Sequence, residues 1–228
     1  MMTNETLASK CASDVLNLII TGVLRPGEQI KGEYLKNRLE IGLSPIREAL
    51  SRLVNTNLVE FTDNVGFKVS QIDSNRVCDL YRSYAKIETL LLREAIENAD
   101  EVWESSVVAA LYQLSKVEGN GKVIYKNWSI RNEEFHAALV GGCPLTGLKQ
   151  IRQQVMLVKN WYHNLAYLNL SHELIETSHL EHKKIADLSI SRKADAACAM
   201  LYKHSMHNLD SVLSNLKTNG YLVDNDNK

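Results

Sequence analysis

Asn132 and His136 stand four residues apart, one turn of a helix, so their side chains can meet on one face and share a ligand. Two more histidines, His182 and His204, fall on later amphipathic stretches and can bring imidazole nitrogens from two further helices. Nitrogen donors with one oxygen suit zinc or nickel, and leave positions open for water or a carboxylate. Taken alone, each histidine reads as an ordinary core or surface residue. Glu133 with His136, and Glu176 with His179, admit another chemistry, because Glu-x-x-His units on separate helices are ligands of di-iron carboxylate bundles. Such a bundle, an oxidase or iron store, also needs an inward glutamate from each of two other helices, for which Glu88 and Glu118 are available.

Cys11, Cys78, Cys143 and Cys198 lie far apart with no C-x-x-C pair, which argues against a zinc ribbon or redox motif and predicts reduced, mostly buried thiols. No Ser/His/Asp or Cys/His set has credible spacing, and no glycine-rich phosphate loop is present.

The elements that must position these residues follow from periodicity. Residues 7 to 20 carry Ala8, Cys11, Ala12, Val15, Leu16 and Ile19 at helical spacing and stop at Gly22. Pro26-Gly27-Glu28 marks a turn, and a short helix over roughly 32 to 40 stacks Leu35 on Leu39. Ser44-Pro45 is expected to open a third helix, the serine as cap and the proline at its first position, with Ile46, Ala49, Leu50 and Leu53 turned inward. Strand-like runs Leu58 to Thr62 and Phe67 to Gln71 flank Asp63-Asn64-Val65-Gly66, where Asn and Gly can supply the positive φ of a tight hairpin. Three helices and a hairpin in that order make a winged helix-turn-helix. If the third helix docks by its apolar stripe, then Ser44, Arg47, Glu48 and Ser51 point outward near its N-terminus, the end that enters the major groove. Arg47 is the expected reader, since its planar fork matches guanine or two phosphate oxygens. Lys31, Arg38, Arg52 and Lys68, with Gly66 in the wing, are candidate backbone contacts.

From Asp73 onward only the 3.6-residue period appears. Asp73-Ser74 caps a long helix with Val77, Leu80, Tyr81, Tyr84, Ile87, Leu91 and Ala95 on one face. Further helices are expected over 101 to 116, 123 to 140, 145 to 167, 172 to 190 and 193 to 217, with breaks at Gly119-Asn120-Gly121, at Gly141 to Pro144 and near Ser191. The expected fold is mainly α: a winged helix-turn-helix over 1–72 (helix-turn-helix about 32–51, wing 58–71), an all-helical bundle over 73–222, and a disordered tail over 223–228.

With 228 residues, 45% hydrophobic and 23% charged, the chain has the make-up of a globular protein of two domains. It carries 26 basic against 27 acidic residues, so bulk charge offers no argument for nucleic-acid binding. The first 72 residues are balanced too, Lys10, Arg25, Lys31, Lys36, Arg38, Arg47, Arg52 and Lys68 facing an equal number of acids. Any DNA-binding case rests on where charges sit. No run of 18 apolar residues exists, and no signal-peptide layout opens the chain, so no membrane partner and a cytoplasmic location are expected.

Residues 12 to 72 resemble the N-terminal domain of GntR-family transcription regulators. The resemblance rests on Pro26-Gly27-Glu28, on Pro45-Ile46-Arg47-Glu48-Ala49-Leu50 and on Gly66-Phe67-Lys68-Val69, at spacings that need no gap. It implies a homodimer on a pseudo-palindromic double-stranded operator, acting as a repressor. The family pattern usually carries an arginine at the position held here by Leu43. The Asn132, His136, His182 and His204 set resembles the FCD-type helical domain of the FadR-like branch. The resemblance implies that these four line a buried cavity holding a divalent metal, and Tyr84, Asn132 and His136 are expected to line the pocket of a small-molecule metabolite. Members of that branch commonly use an arginine four residues before Glu88 to hold an acidic effector; Tyr84 stands there, so an effector other than a simple carboxylic acid is expected, with the phenol bonding a hydroxyl or phosphate or packing in the core. The alternatives are the di-iron oxidase above and a helical adaptor that binds no DNA.

Overall fold

The structure, a computed structural model, describes residues 6–98, 100–118, 125–167 and 172–223. The expected glycine break at 119–121 and most of the expected tail, 224–228, lie outside the described residues. Within them the chain forms helices α1 (Leu7–Ile20), α2 (Gly32–Leu39), α3 (Leu43–Val54), α4 (Ser74–Asn98), α5 (Glu101–Glu118), α6 (Tyr125–Leu139), α7 (Thr146–Ala166), α8 (His172–Ile190), α9 (Ala194–His207) and α10 (Leu209–Thr218), with strands β1 (Val59–Thr62) and β2 (Gly66–Val69). Among the described residues no helix is long and apolar enough to cross a membrane.

Two compact units form, one from Met1–Val77, Met156–Ala166 and Val212–Lys228, the other from Cys78–Val155 and Tyr167–Ser211. In the first, Val15, Ile19, Leu35, Ile46, Leu50 and Leu58 build a dry core between α1, α2, α3 and the hairpin. The hairpin pairs Val59 with Val69 and Thr62 with Gly66, and Asn64 and Gly66 take the positive φ that the tight reversal needs. A third segment joins it unannounced by any strand pattern: Ile30 N–H donates to the Phe67 carbonyl and Val69 N–H to that of Glu28. Gly27, at φ +78, turns the chain into this pairing.

The same unit holds the C-terminal half of α7 and α10 from Val212 onward. Gly22, at φ +73, leaves room for Leu165 and Tyr221, which a Cβ there would meet at 2.9 and 3.1 Å. Asn219 Nδ2 donates to the Leu165 carbonyl, and Ile72 bridges Leu222 in parallel.

Two expectations need correction. The cap of α3 is Gly42, which makes no side-chain bond, so Leu43 is its first residue and Ser44 lies inside its first turn. Pro45 still costs nothing there, because first-turn N–H groups have no partner inside the helix. The single helix expected over 193–217 is two, parted at Asn208, where φ −89 and ψ 0 leave the helical region.

In the second unit Leu91, Leu92 and Ala95 of α4, Trp103 and Val107 of α5, Phe135 and Leu139 of α6, Ile185 of α8 and Leu201 of α9 share one core. Trp103 Nε1–H donates to the carbonyls of Ala138 and Leu139, so its polar edge is satisfied inside the packing.

Candidate functional site

Three of the four residues expected to bind metal converge. His136 from α6, His182 from α8 and His204 from α9 are buried and offer nitrogens that all lie within 4.8 Å of one another. Asn132 sits one turn before His136, and its amide oxygen is buried with no hydrogen-bond partner. Behind each imidazole stands a carboxylate that sequence reasoning did not assign to this role. Glu118 Oε1 lies 3.2 Å from His182 Nδ1, Glu181 Oε2 lies 2.8 Å from His204 Nδ1, and Glu88 Oε2 lies 3.7 Å from His136 Nδ1. Burial pushes the Glu118 carboxyl up, but bonding and charge from His182, with bonds from His179 and Trp128, outweigh it and hold the group below its usual range. Glu181 is likewise held low by His204 and His207 against its burial.

Ionised carboxylates only accept, so His182 and His204 each donate from Nδ1 and turn Nε2 inward. Those two Nε2 atoms are 3.2 Å apart. Two acceptors at that distance repel unless a cation is shared between them, and carboxylate-backed imidazole is the arrangement that orients metal ligands. The donor set therefore fits a divalent transition ion.

Glu88 has a second partner. Arg152 of α7, only 5% exposed, bonds Glu88 through Nε and Glu133 through Nη1, while its buried Nη2 makes no hydrogen bond. Burial works against the guanidinium charge, but Glu88, Tyr84 and Glu133 outweigh it and raise its affinity for the proton. Tyr84 is buried beside this pair, and burial, then the charge of Glu88, pushes its phenol well above the usual range. A guanidinium from α7 thus lies buried beside Tyr84. The signal for the carboxylates was in the sequence: Glu88, between Tyr84 and Leu91 on the apolar stripe of α4, is a charge where only apolar residues belong. Arg152 gave no comparable sign.

The paired Glu-x-x-His units do not assemble. Glu133 is committed to Arg152, Glu176 is exposed, and His179 Nδ1 bonds Glu118 Oε2 at 2.7 Å. Among the described residues the three histidines are the one group of three or more His, Cys, Asp or Glu placed to hold a metal, and they lack the carboxylate ligands of a di-iron cage.

On α3, Ile46, Ala49, Leu50 and Leu53 are buried, while Ser44, Arg47, Glu48 and Ser51 are exposed. Arg47 makes no hydrogen bond or ion pair among the described residues. Arg52 is tied back to Glu48 at 2.5 Å and to Ser9 of α1 at 2.9 Å. Lys31, at the start of α2, is exposed, as is Arg38, whose guanidinium lies 5.9 Å from the ring of Tyr34. Lys68 is half-buried opposite Glu60 in the hairpin, and Gly66 closes its turn.

Residues 7–69 match the family described as bacterial regulatory proteins, gntR family, and residues 79–207 match the FCD domain. The HTH-type transcriptional repressor GlaR of Escherichia coli is 30% identical over 192 residues, covering 82% of this chain and 87% of that protein. This chain belongs to the GntR family. It is a transcriptional regulator with an FCD effector-binding domain, and its relatives are regulators, not enzymes. The Nta operon transcriptional regulator of Aminobacter aminovorans is 28% identical, with 83% and 86% of the two chains covered. The fold of this GntR-family regulator is also that of E. coli McbR/YncC, with a TM-score of 0.74 at 17% identity over 92% of this chain and 98% of that one.

Proposed function

We propose that this regulator is a homodimeric, cytoplasmic repressor whose hold on a double-stranded operator changes when a small-molecule metabolite binds beside the histidine cluster. The observation that carries the DNA-reading half is α3, docked by four buried apolar residues with Arg47 open on its outer face. Phosphate contacts then fall to Lys31, Arg38 and Lys68, with Arg52 available on release from Glu48. The name of the similar GlaR protein supports repression.

His136, His182 and His204 would hold zinc or nickel, with the Asn132 amide oxygen as a further donor. A bound ion would supply open coordination positions for an effector. The chain's own residues do the rest: Glu88, Glu118 and Glu181 keep the imidazoles turned inward, and Tyr84 keeps its proton and can donate to an effector oxygen. Arg152 is already paired with Glu88 and Glu133, so the proposed effector remains one other than a simple carboxylic acid, met by the Tyr84 phenol. Effector binding shifts α4, and the response requires the ligand to prefer one arrangement by about 1–3 kcal/mol.

The test is a gel shift against the DNA upstream of the protein's own gene. Wild type should bind in a salt-dependent manner, and Arg47→Ala should bind at least tenfold more weakly with unchanged metal content. Equal affinity of the two proteins would remove α3 as the reading helix.

A further inference from the structure

Leu43 is a large apolar side chain left 40% exposed at the first position of α3, beside Ser44 and Arg47 on the open face. It forms one wall of a groove of about 580 Å³ between α3 and the hairpin, shared with Arg47, Phe61, Val65 and Phe67. Phe61 and Val65 are each 54% exposed, so apolar surface gathers where a DNA-binding domain is expected to be polar. Leu43 is also backed from behind. A Cβ on Gly32 would stand 3.2 Å from Leu43 Cδ2, so the leucine rests closely against the start of α2. No side chain caps α3, and its first N–H groups remain available to a phosphate, which draws this end of the helix to the duplex.

An apolar side chain at the tip of a reading helix meets base edges in the major groove. Three of the four bases present hydrogen-bonding atoms and no methyl group there, and a leucine laid against those atoms strips their water without offering a hydrogen bond. Thymine alone presents a methyl group. We propose that Leu43 is a specificity-determining residue that selects thymine, through its 5-methyl group, in each half of the operator, next to the base read by Arg47. This rests on the DNA-reading role of α3 argued above. Gly32 acts as a positioning residue, since a methyl group there makes the Leu43 side chain give by a few tenths of an ångström.

The test uses the full chain and a duplex it selects from a randomised pool. Each thymine of that duplex is then replaced singly by deoxyuridine, which removes the methyl and leaves pairing intact. The expected result is one thymine per half-site whose replacement weakens binding roughly fourfold, the change that burial of one methyl group corresponds to. Leu43→Ala should bind the thymine and uracil duplexes equally, and Gly32→Ala should shrink the difference. Leu43→Met should keep it, and Leu43→Arg should select guanine at that position. If Leu43→Ala does not fold, Leu43→Gln against Leu43→Met makes the same comparison. A selected site at which no thymine methyl matters overturns the assignment, as does a methyl effect that survives Leu43→Ala or Leu43→Gln. Failure to enrich any sequence overturns the DNA-reading role itself, and this inference with it.

Discussion

A buried arginine held by two glutamates is stable only as a set. Arg152 neutralises Glu88, which is fully buried and also stands behind His136. Removing the guanidinium leaves that carboxylate without its partner in a dry interior, a change that typically costs about 3–5 kcal/mol. Arg152→Met should therefore unfold at markedly lower urea, and adding Glu88→Gln should restore a large part of the loss. Equal stability of wild type and Arg152→Met would mean that Glu88 is not ionised in the folded chain. The same coupling explains why this residue was invisible in sequence. Arg152 and Glu88 are 64 positions apart on different helices, so no local period links them. The histidines were legible because each sits in a short pattern of its own, Asn132 with His136 above all, and the family resemblance joined them.

Most helices announced themselves by periodicity, since an apolar stripe is the cause of docking as well as its sign. α1 lies where residues 7 to 20 put it, and α8 spans the expected 172 to 190. The break at Asn208 was hidden for a physical reason. Leu201 and His204 before it, and Val212 and Leu216 after it, continue in phase, so one stripe enters two different cores without a change of pattern. The 27–30 segment that joins the hairpin was hidden too, because it is too short to alternate. Within α7, His163 carries a prediction of its own. Burial, then the charge of Lys159, lowers its imidazole well below the usual value, so the folded chain keeps it neutral. An unfolded histidine takes a proton below about pH 6.5. Its contribution is thus constant above that pH and is lost on acidification, at about 1.4 kcal/mol per unit until the folded group titrates. Urea denaturation of His163→Gln should show a shallower fall in stability than wild type between pH 7 and pH 5.5; identical slopes would mean the imidazole is already charged when folded.

At the scale of the whole molecule, a metal bound only by the folded chain stabilises the unit that holds His136, His182 and His204. Saturation at a hundredfold excess over Kd is worth about 2.7 kcal/mol, which for a protein of this size corresponds to roughly 5–10 °C in melting temperature. Chelator treatment should lower the melting point of wild type by about that much. His182→Ala should contain little metal and melt at the same temperature with or without chelator. Wild-type metal content in that variant would exclude His182 as a ligand.

The bridge between Ile72 and Leu222, with Gly22 packed under Leu165 and Tyr221, bears on how the molecule can be taken apart. A gene fragment ending at codon 72 would encode every residue of the reading helix and the wing, yet would omit the two distant pieces of chain that roof their core. Expressed by itself, such a fragment should be aggregation-prone and show little cooperative melting. A soluble, sharply melting 1–72 fragment would show that the roof is dispensable.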